Sequence, residues 1–305
     1  MKPNGNRTLN DGFRNVILLG LVSFFADISS EMVYPLIPLY LTAAFGATPV
    51  LVGIIEGIAE SAASLLKVFG GYITDRRGRK KAVAWAGYST GLIYKLALLA
   101  AGSWGGILAA RVIDRIGKGI RTAPRDALVS ESAESGGMGR AFGVHKALDM
   151  AGSAIGIAVA YLLLQGLPSD TVGFKRIFAI SIIPAAIALA VMFRVREKPR
   201  TEPPGKRERF WLQARGLDSN LKLYLVVSFL FTLGNSSNAF LLLRAKGMGF
   251  TDANVILLYL LYNLSAAVLS IPFGRLSDKS GRKNVLVAGY VIFAIVYFGF
   301  AFASS

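Results

Sequence analysis

Long apolar runs separated by short polar clusters dominate the chain, and their length decides what they are. A bilayer core about 30 Å thick takes roughly 20 apolar residues in helical form. That window predicts nine helices, over 15–44, 48–73, 82–103, 105–125, 140–165, 174–195, 221–244, 252–274 and 284–305. Arg111, Asp114, Arg115, Lys118 and Arg121 interrupt the fourth, yet a soluble reading would bury a charged loop between hydrophobic helices. The first run, from about Asn15, is too long for a cleaved leader, carries Asp27 and Glu31 and lacks a small-residue cleavage pattern, so it is read as a retained helix. Pro35 and Pro38 in helix 1, Pro184 in helix 6 and Pro272 in helix 8 are kinks of the kind that membrane helices tolerate.

Composition agrees: a chain of 305 residues that is 53% hydrophobic and 17% charged cannot hide its apolar surface in one soluble core. A net charge of +16 would point to nucleic acid in a soluble protein, but the basic residues sit between the apolar runs. There they set topology, and no nucleic-acid partner is expected. Most Lys and Arg fall in alternate connections: the tail before helix 1, the 2–3 connection (Arg76, Arg77, Arg79, Lys80, Lys81), the 4–5 connection, the segment from Arg194 to Lys222, and the 8–9 connection (Arg275, Lys279, Arg282, Lys283). The positive-inside rule makes these cytoplasmic. The expected localisation is therefore the inner (plasma) membrane, multi-pass, with a cytoplasmic N-terminus. There is no cysteine, no P-loop, no His or Cys metal cluster and a single histidine, His145. Neither enzymatic activity nor a cofactor is expected. His145, beside Lys146 near the end of helix 5, reads as a helix-end hydrogen-bonder rather than a proton relay.

The connection after helix 6 differs from the others, being rich in Lys, Arg, Glu and Pro (Glu197, Lys198, Pro199, Arg200, Pro203, Pro204). It reads as a linker between two membrane bundles. The expected domains are 1–195, a six-helix bundle; 196–220, a cytoplasmic linker; and 221–305, helices 7–9. A repeat supports the division. Asp75-Arg-Arg-Gly78-Arg79-Lys80 recurs as Asp278-Lys-Ser-Gly281-Arg282-Lys283, and Gly71 matches Gly274. Internal repetition of this kind marks transporters built from two related bundles.

Gly71-Tyr-Ile-Thr-Asp75-Arg-Arg-Gly78-Arg79-Lys80 resembles the 2–3 loop signature of the major facilitator superfamily, and its copy lies at the corresponding 8–9 loop. Arg115-Ile-Gly-Lys-Gly119 is similar to that family's Arg-x-x-x-Gly element, and Gly139-Arg140-Ala-Phe-Gly143 to its entry to helix 5. The resemblance implies an all-α membrane protein of that superfamily's fold, with a six-helix N-terminal bundle and the first three helices of a C-terminal one. It also implies a central site opening alternately to each side, and a chain that stops where helices 10–12 would begin. By resemblance, Gly71, Asp75, Gly78, Arg79 and Arg140, with the weaker copy Asp278, Gly281 and Arg282, form a cytoplasmic gate. Glycines there permit a tight turn, and the charges can pair in one state only.

The ionisable residues inside the first bundle carry the candidate chemistry. Asp27, Glu31, Glu56, Glu60, Asp114 and Asp149 face six bases, Lys67, Lys95, Arg111, Arg115, Lys118 and Lys146. A charge within the membrane costs several kcal/mol unless paired or wetted. Asp27 and Glu60 each lie roughly 18 Å into their helices at about 1.5 Å per residue, near the midplane. Asp27 with Glu31, and Glu56 with Glu60, are spaced to share a helix face. Arg111, Arg115 and Lys118 share one face of helix 4, suited either to positioning those carboxylates or to binding an anion. Mutual neutralisation is the purely structural account. The expected function is secondary active transport of a small solute, proton-coupled efflux first, by a monomer with the solute, protons and the lipid bilayer as partners. Organic-anion uptake or export through the helix 4 arginines is the alternative, and a non-transporting receptor or scaffold is the reading from another class. Ala151-Gly152-Ser-Ala-Ile-Gly156 keeps packing glycines but lacks the proline of drug antiporters.

Overall fold

In the computed structural model, which describes residues 5–77, 79–133, 138–168, 170–197, 218–235 and 237–302, the described residues form helices joined by short turns. In chain order these are α1 (Gly5–Glu31), α2 (Leu36–Phe45), α3 (Pro49–Arg77), α4 (Lys80–Ala100), α5 (Trp104–Ser132), α6 (Met138–Gly166), α7 (Thr171–Ile180), α8 (Ile182–Arg194), α9 (Ser219–Gly234), α10 (Asn238–Gly247), α11 (Asp252–Ser280) and α12 (Arg282–Phe302). All nine expected spans are present, three of them broken in two. Six are long and apolar enough to cross a membrane on length and composition alone: Gly12–Phe45, Pro49–Lys67, Arg140–Gly166, Thr171–Arg194, Ser219–Gly247 and Asp252–Leu269.

The breaks have local causes. Span 1 is interrupted at residues 32–35, where Pro35 supplies no N–H and the turn is closed instead by Tyr34 N donating to Ser30 O at 2.8 Å. Span 6 breaks at Ser181, because the Pro184 ring displaces the carbonyl four residues earlier, that of Ile180. The seventh parts in the polar run Asn235–Asn238, with Asn235 in extended backbone after α9. The fourth expected helix, the one interrupted by charge, exists and runs on to Ser132 despite Pro124. α3 continues through Arg77, so Asp75 lies in its last turn rather than beyond it.

The chain divides into two compact units, Met1–Pro204 with Ala239–Leu260, and Gly205–Asn238 with Leu261–Ser305. In the first, α1 packs on α6 and α8, and α5 packs on both α3 and α4. Small residues set those distances. A Cβ on Gly117 would come within 2.7 Å of Gly87 O, and one on Gly119 within 2.9 Å of Ala63 O, so α5 meets α4 and α3 backbone to backbone. On α6, a Cβ at Gly152 would sit 2.3 Å from Phe24 O and one at Gly156 2.5 Å from Ile28 O, which ties α6 to α1. The same unit closes around an apolar core that includes Leu36, Ile37, Tyr40, Val52, Ile55, Phe174 and Phe178. Ala239, Leu242, Val255, Ile256 and Tyr259 join it from α10 and α11. Leu65, Leu162 and Phe193 are instead exposed, as side chains that face lipid must be. In the second unit Phe231 stacks on Tyr290 at 4.0 Å between ring centroids.

Candidate functional site

Charge inside the first unit sorts into two groups. One is a ladder between α3 and α5. Glu56 and Glu60 are one turn apart on α3, as Arg111 and Arg115 are on α5, and the equal spacing lets two rungs form together. Arg111 Nε donates to Glu56 Oε1 at 2.9 Å and Nη2 to Oε2 at 2.7 Å, a two-pronged pair in which both residues are buried. Arg115 Nη2 lies 3.0 Å from Glu60 Oε1, with the Glu60 side chain 52% exposed. The Tyr34 ring serves both guanidinium groups, with Cζ of Arg111 at 5.2 Å and of Arg115 at 5.4 Å from its centroid, inside cation–π range. Asp114 Oδ2 is 3.7 Å from Arg111 Nη1 and within electrostatic reach of Lys95, which is buried with Nζ 4.8 Å from the Tyr94 ring centroid. Three acids and three bases thus balance. The motif element Arg115 to Gly119 gains a local meaning: its arginine reaches Glu60 while its glycine admits α3 at Ala63 and Leu66.

The second group lies where α1, α5 and α6 meet. Small residues at Gly152 and Gly156 let α6 pack closely on α1, and Asp27 and Asp149 lie within electrostatic reach of each other. Lys146 Nζ donates to Asp149 Oδ2 at 2.6 Å. From α5, Lys118 and Arg121 act on Asp27, and Lys118 acts on Glu31 as well. Lys118 is exposed, whereas Arg121 is buried with Cζ 4.7 Å from the Tyr88 ring centroid. Glu31 Oε2 accepts from Tyr259 Oη at 3.3 Å, and the Tyr259 ring stands 6.1 Å from that of Tyr34. His145 is a buried hydrogen-bonder, Nε2 lying 2.9 Å from Ser23 Oγ, which in turn is 3.1 Å from Tyr88 Oη.

Of the residues expected at the gate, Gly78 lies outside the described residues, as do the side chains of Asp75, Asp278 and Arg282; Gly71 lies within α3 and Gly281 between α11 and α12. Gly281 has φ +86°, the left-handed backbone that a tight turn asks of glycine. Arg79 is exposed just before α4, and Arg140 places Cζ 4.8 Å from the Phe13 ring centroid. The same end of the unit holds a polar clasp that was not expected. Glu197 accepts from the backbone N–H groups of Lys80 at 2.6 Å and Lys81 at 3.2 Å, an anion on the N-terminus of α4. Lys80 also pairs with Glu131. Asn15 Nδ2 donates to Ser132 Oγ at 2.7 Å, and Asn15 Oδ1 accepts from Arg196 N at 2.8 Å. Tyr34, Tyr259 and Glu197 were invisible as site residues because an aromatic in an apolar run, or an acid in a charged linker, carries no signal until its partner is placed.

A family model described as Major Facilitator Superfamily matches residues 19–305. An MFS-type transporter of Methanocaldococcus jannaschii is 38% identical over 295 residues, covering 95% of this chain and 72% of the relative. The multidrug resistance protein MdtG of Escherichia coli is 24% identical, covering 97% and 74%. Among solved structures, the nucleoside transporter NupG superposes with a TM-score of 0.71 at 14% identity, covering 88% of this chain and 70% of that one. A bacterial homologue of the lysosomal transporter Spinster, inward-facing and occupied, gives 0.68 at 17% identity, covering 89% and 63%.

Proposed function

The chain belongs to the major facilitator superfamily, a family of multi-pass membrane transporters rather than enzymes, and from that premise we propose that it exports a small solute in exchange for protons by alternating access. The observation that carries the proton part is the acid left over once the ladder is balanced. Glu56 and Glu60 are held by Arg111 and Arg115 and Asp114 lies 3.7 Å from Arg111, whereas among the described residues no Lys or Arg is within ion-pair distance of Asp27 or Glu31, and Glu31 takes a tyrosine hydroxyl instead. Acidic groups held in a membrane without a fixed cation are proton sites by default. Export draws support from the relative named a multidrug resistance protein. Anion binding by the helix 4 arginines is less favoured, since Arg111 and Arg115 each hold a carboxylate against one shared tyrosine ring.

In this reading residues 1–195 form one six-helix bundle and 221–305 belong to the second, with the 196–220 linker and the N-terminus cytoplasmic, in a monomer of the inner membrane. Asp75, Gly78 and Arg79 with their copy act at the cytoplasmic mouth, so Asp75→Asn slows exchange between inward- and outward-open states and leaves solute binding intact. Equal losses of affinity and turnover would place Asp75 in the solute site or in folding instead. The direct experiment is a thermal-shift screen of candidate solutes on the purified protein, followed by transport of the solute found in proteoliposomes under an imposed pH gradient. Movement of that solute with no response to the gradient would remove proton coupling, and no movement of any bound solute would favour a receptor or scaffold.

A further inference from the structure

Independently of the export reading, we infer that His145 of α6, with Ser23 of α1 and Tyr88 of α4, forms an acid-responsive switch. It ties the three helices together while the imidazole is neutral and lets them part when it is charged. The side chains make a continuous chain, His145 Nε2 lying 2.9 Å from Ser23 Oγ and Ser23 Oγ 3.1 Å from Tyr88 Oη. All three residues are buried, with His145 and Tyr88 4% exposed and Ser23 2%. The phenol is the more acidic hydroxyl and the imidazole nitrogen the most basic acceptor of the three. The chain therefore runs from Tyr88 O–H to Ser23, and from Ser23 O–H to Nε2. That order leaves Nε2 bare and puts the imidazole proton on Nδ1.

A proton taken up at Nε2 undoes this arrangement. The nitrogen becomes a donor, Ser23 must turn its own proton away, and a charge appears where the helices leave no room for water. A Cβ on Gly20 would stand 2.4 Å from Leu148 Cδ1 and one on Gly152 2.3 Å from Phe24 O, so α1 and α6 are already in contact beside the pair. The acids that act on the imidazole are taken. On α6, Lys146 donates to Asp149 at 2.6 Å, and on α5, Arg125 Nη2 is 2.9 Å from Asp126 Oδ1. Arg121 of α5 adds a further positive charge over the Tyr88 ring, at 4.7 Å from its centroid. Asp27 stands one turn beyond Ser23, about 6 Å farther along α1. A buried cation without a counter-ion is costly, so the charged imidazole is stable only once α6 has moved off α1 and α4 and water reaches it. Histidine changes charge between about pH 5 and 8, and the packing is complete above that range and lost as pH falls through it. On the topology proposed above, the site lies toward the cytoplasmic end of α6 and answers to cytoplasmic acidity.

His145 is the only histidine of the chain, so nitrogen NMR of the purified protein labelled with 15N-histidine sees this imidazole alone. The neutral ring is expected as the Nδ1–H tautomer, titrating in one step. Spin labels at Arg14→Cys of α1 and Met138→Cys of α6, both exposed positions in a chain without cysteine, report the separation of the two helices. Their distance distribution should lengthen or broaden at the same midpoint pH. His145→Gln, whose side-chain carbonyl can still accept from Ser23, should hold the short distance at every pH. Ser23→Ala keeps the imidazole but removes the bond to its neutral form, so the midpoint should rise by roughly half to one pH unit, the worth of one hydrogen bond. A merely structural contact would lower the melting temperature and leave the midpoint alone. A neutral Nε2–H tautomer, a spin-label distance indifferent to the charge on His145, an unmoved midpoint in Ser23→Ala, or the same acid response in His145→Gln would overturn the inference. No transported solute enters these measurements, so the switch and the export reading stand or fall separately.

Discussion

The two rungs of the ladder carry the same charges one helical turn apart, yet the protein should respond differently to the loss of Arg111 from one and of Glu60 from the other. Removing Arg111 strands the Glu56 carboxylate in a buried site, a change that costs about 3–5 kcal/mol when one partner of a buried pair is deleted. Arg111→Met is therefore expected to lower the unfolding temperature and yield sharply, with Arg111→Lys a poor substitute, since an ammonium cannot bridge both oxygens. The outer rung is half in solvent at Glu60, although Arg115 is buried, and solvent screening weakens such a pair, so Glu60→Gln should lower the melt by less than Arg111→Met. Equal destabilisation by the two substitutions would show that solvent does not reach the outer rung. The acids and bases of the α3–α5 ladder could be named from the sequence, because ionisable residues inside apolar runs stand out, whereas Glu197 in the charged linker could not. Nor could the partners of the acids. The i,i+4 spacing puts Asp27 with Glu31 and Glu56 with Glu60 on shared helix faces, whereas Glu56 and Glu60 take their partners from α5 and Glu31 its partner from α11, choices made by which helices pack together.

At the scale of whole helices, glycine decides which faces can meet. Gly119 of α5 lies against the α3 backbone at Ala63, while Gly57 of α3 has open space where a side chain would go. Overpacking a tight contact costs typically about 1–3 kcal/mol, whereas Ala in place of Gly on an open helical face gains up to about 1 kcal/mol. Gly119→Ala should thus weaken the protein and loosen the Arg115–Glu60 rung, and Gly57→Ala should be neutral or stabilising; thermal unfolding of the two single variants decides it, and the reverse order would mean that α3 and α5 are not held at this crossing. The lengths of the apolar runs were enough to locate every span, and the charge-interrupted fourth span proved continuous from Trp104 to Ser132. What the apolar pattern could not mark was the splitting of three spans. Hydropathy is blind to a missing N–H at Pro35 or Pro184, and such a proline kinks one helix and severs another according to which neighbouring groups satisfy the freed carbonyls.

On the alternating-access reading proposed above, the contact made by residues 239–260 is the one expected to part during transport. Phe240 packs against Gly53, so that a Cβ on that glycine would stand 2.6 Å from its ring, and Tyr259 bonds Glu31. The segment 239–260 comes from the second half of the chain, and Gly53 and Glu31 from the first. Rocking of one bundle against the other around a central site opens one side as it closes the opposite one, and on that reading the packing of Phe240 on Gly53 is expected to part in one of the two states. The chain contains no cysteine, so thiol chemistry can be placed at will. Single cysteines fix the side first: Ser103→Cys is expected to label from outside the cell, and labelling only from the cytoplasm would invert the topology. Gly53→Cys combined with Phe240→Cys, bridged by a short thiol-specific cross-linker, should then arrest transport while leaving solute binding from the opposite side measurable, and a cleavable linker should restore turnover once cut. Undiminished turnover by the fully cross-linked protein would mean that this contact persists through the cycle, and the moving boundary would have to be sought elsewhere.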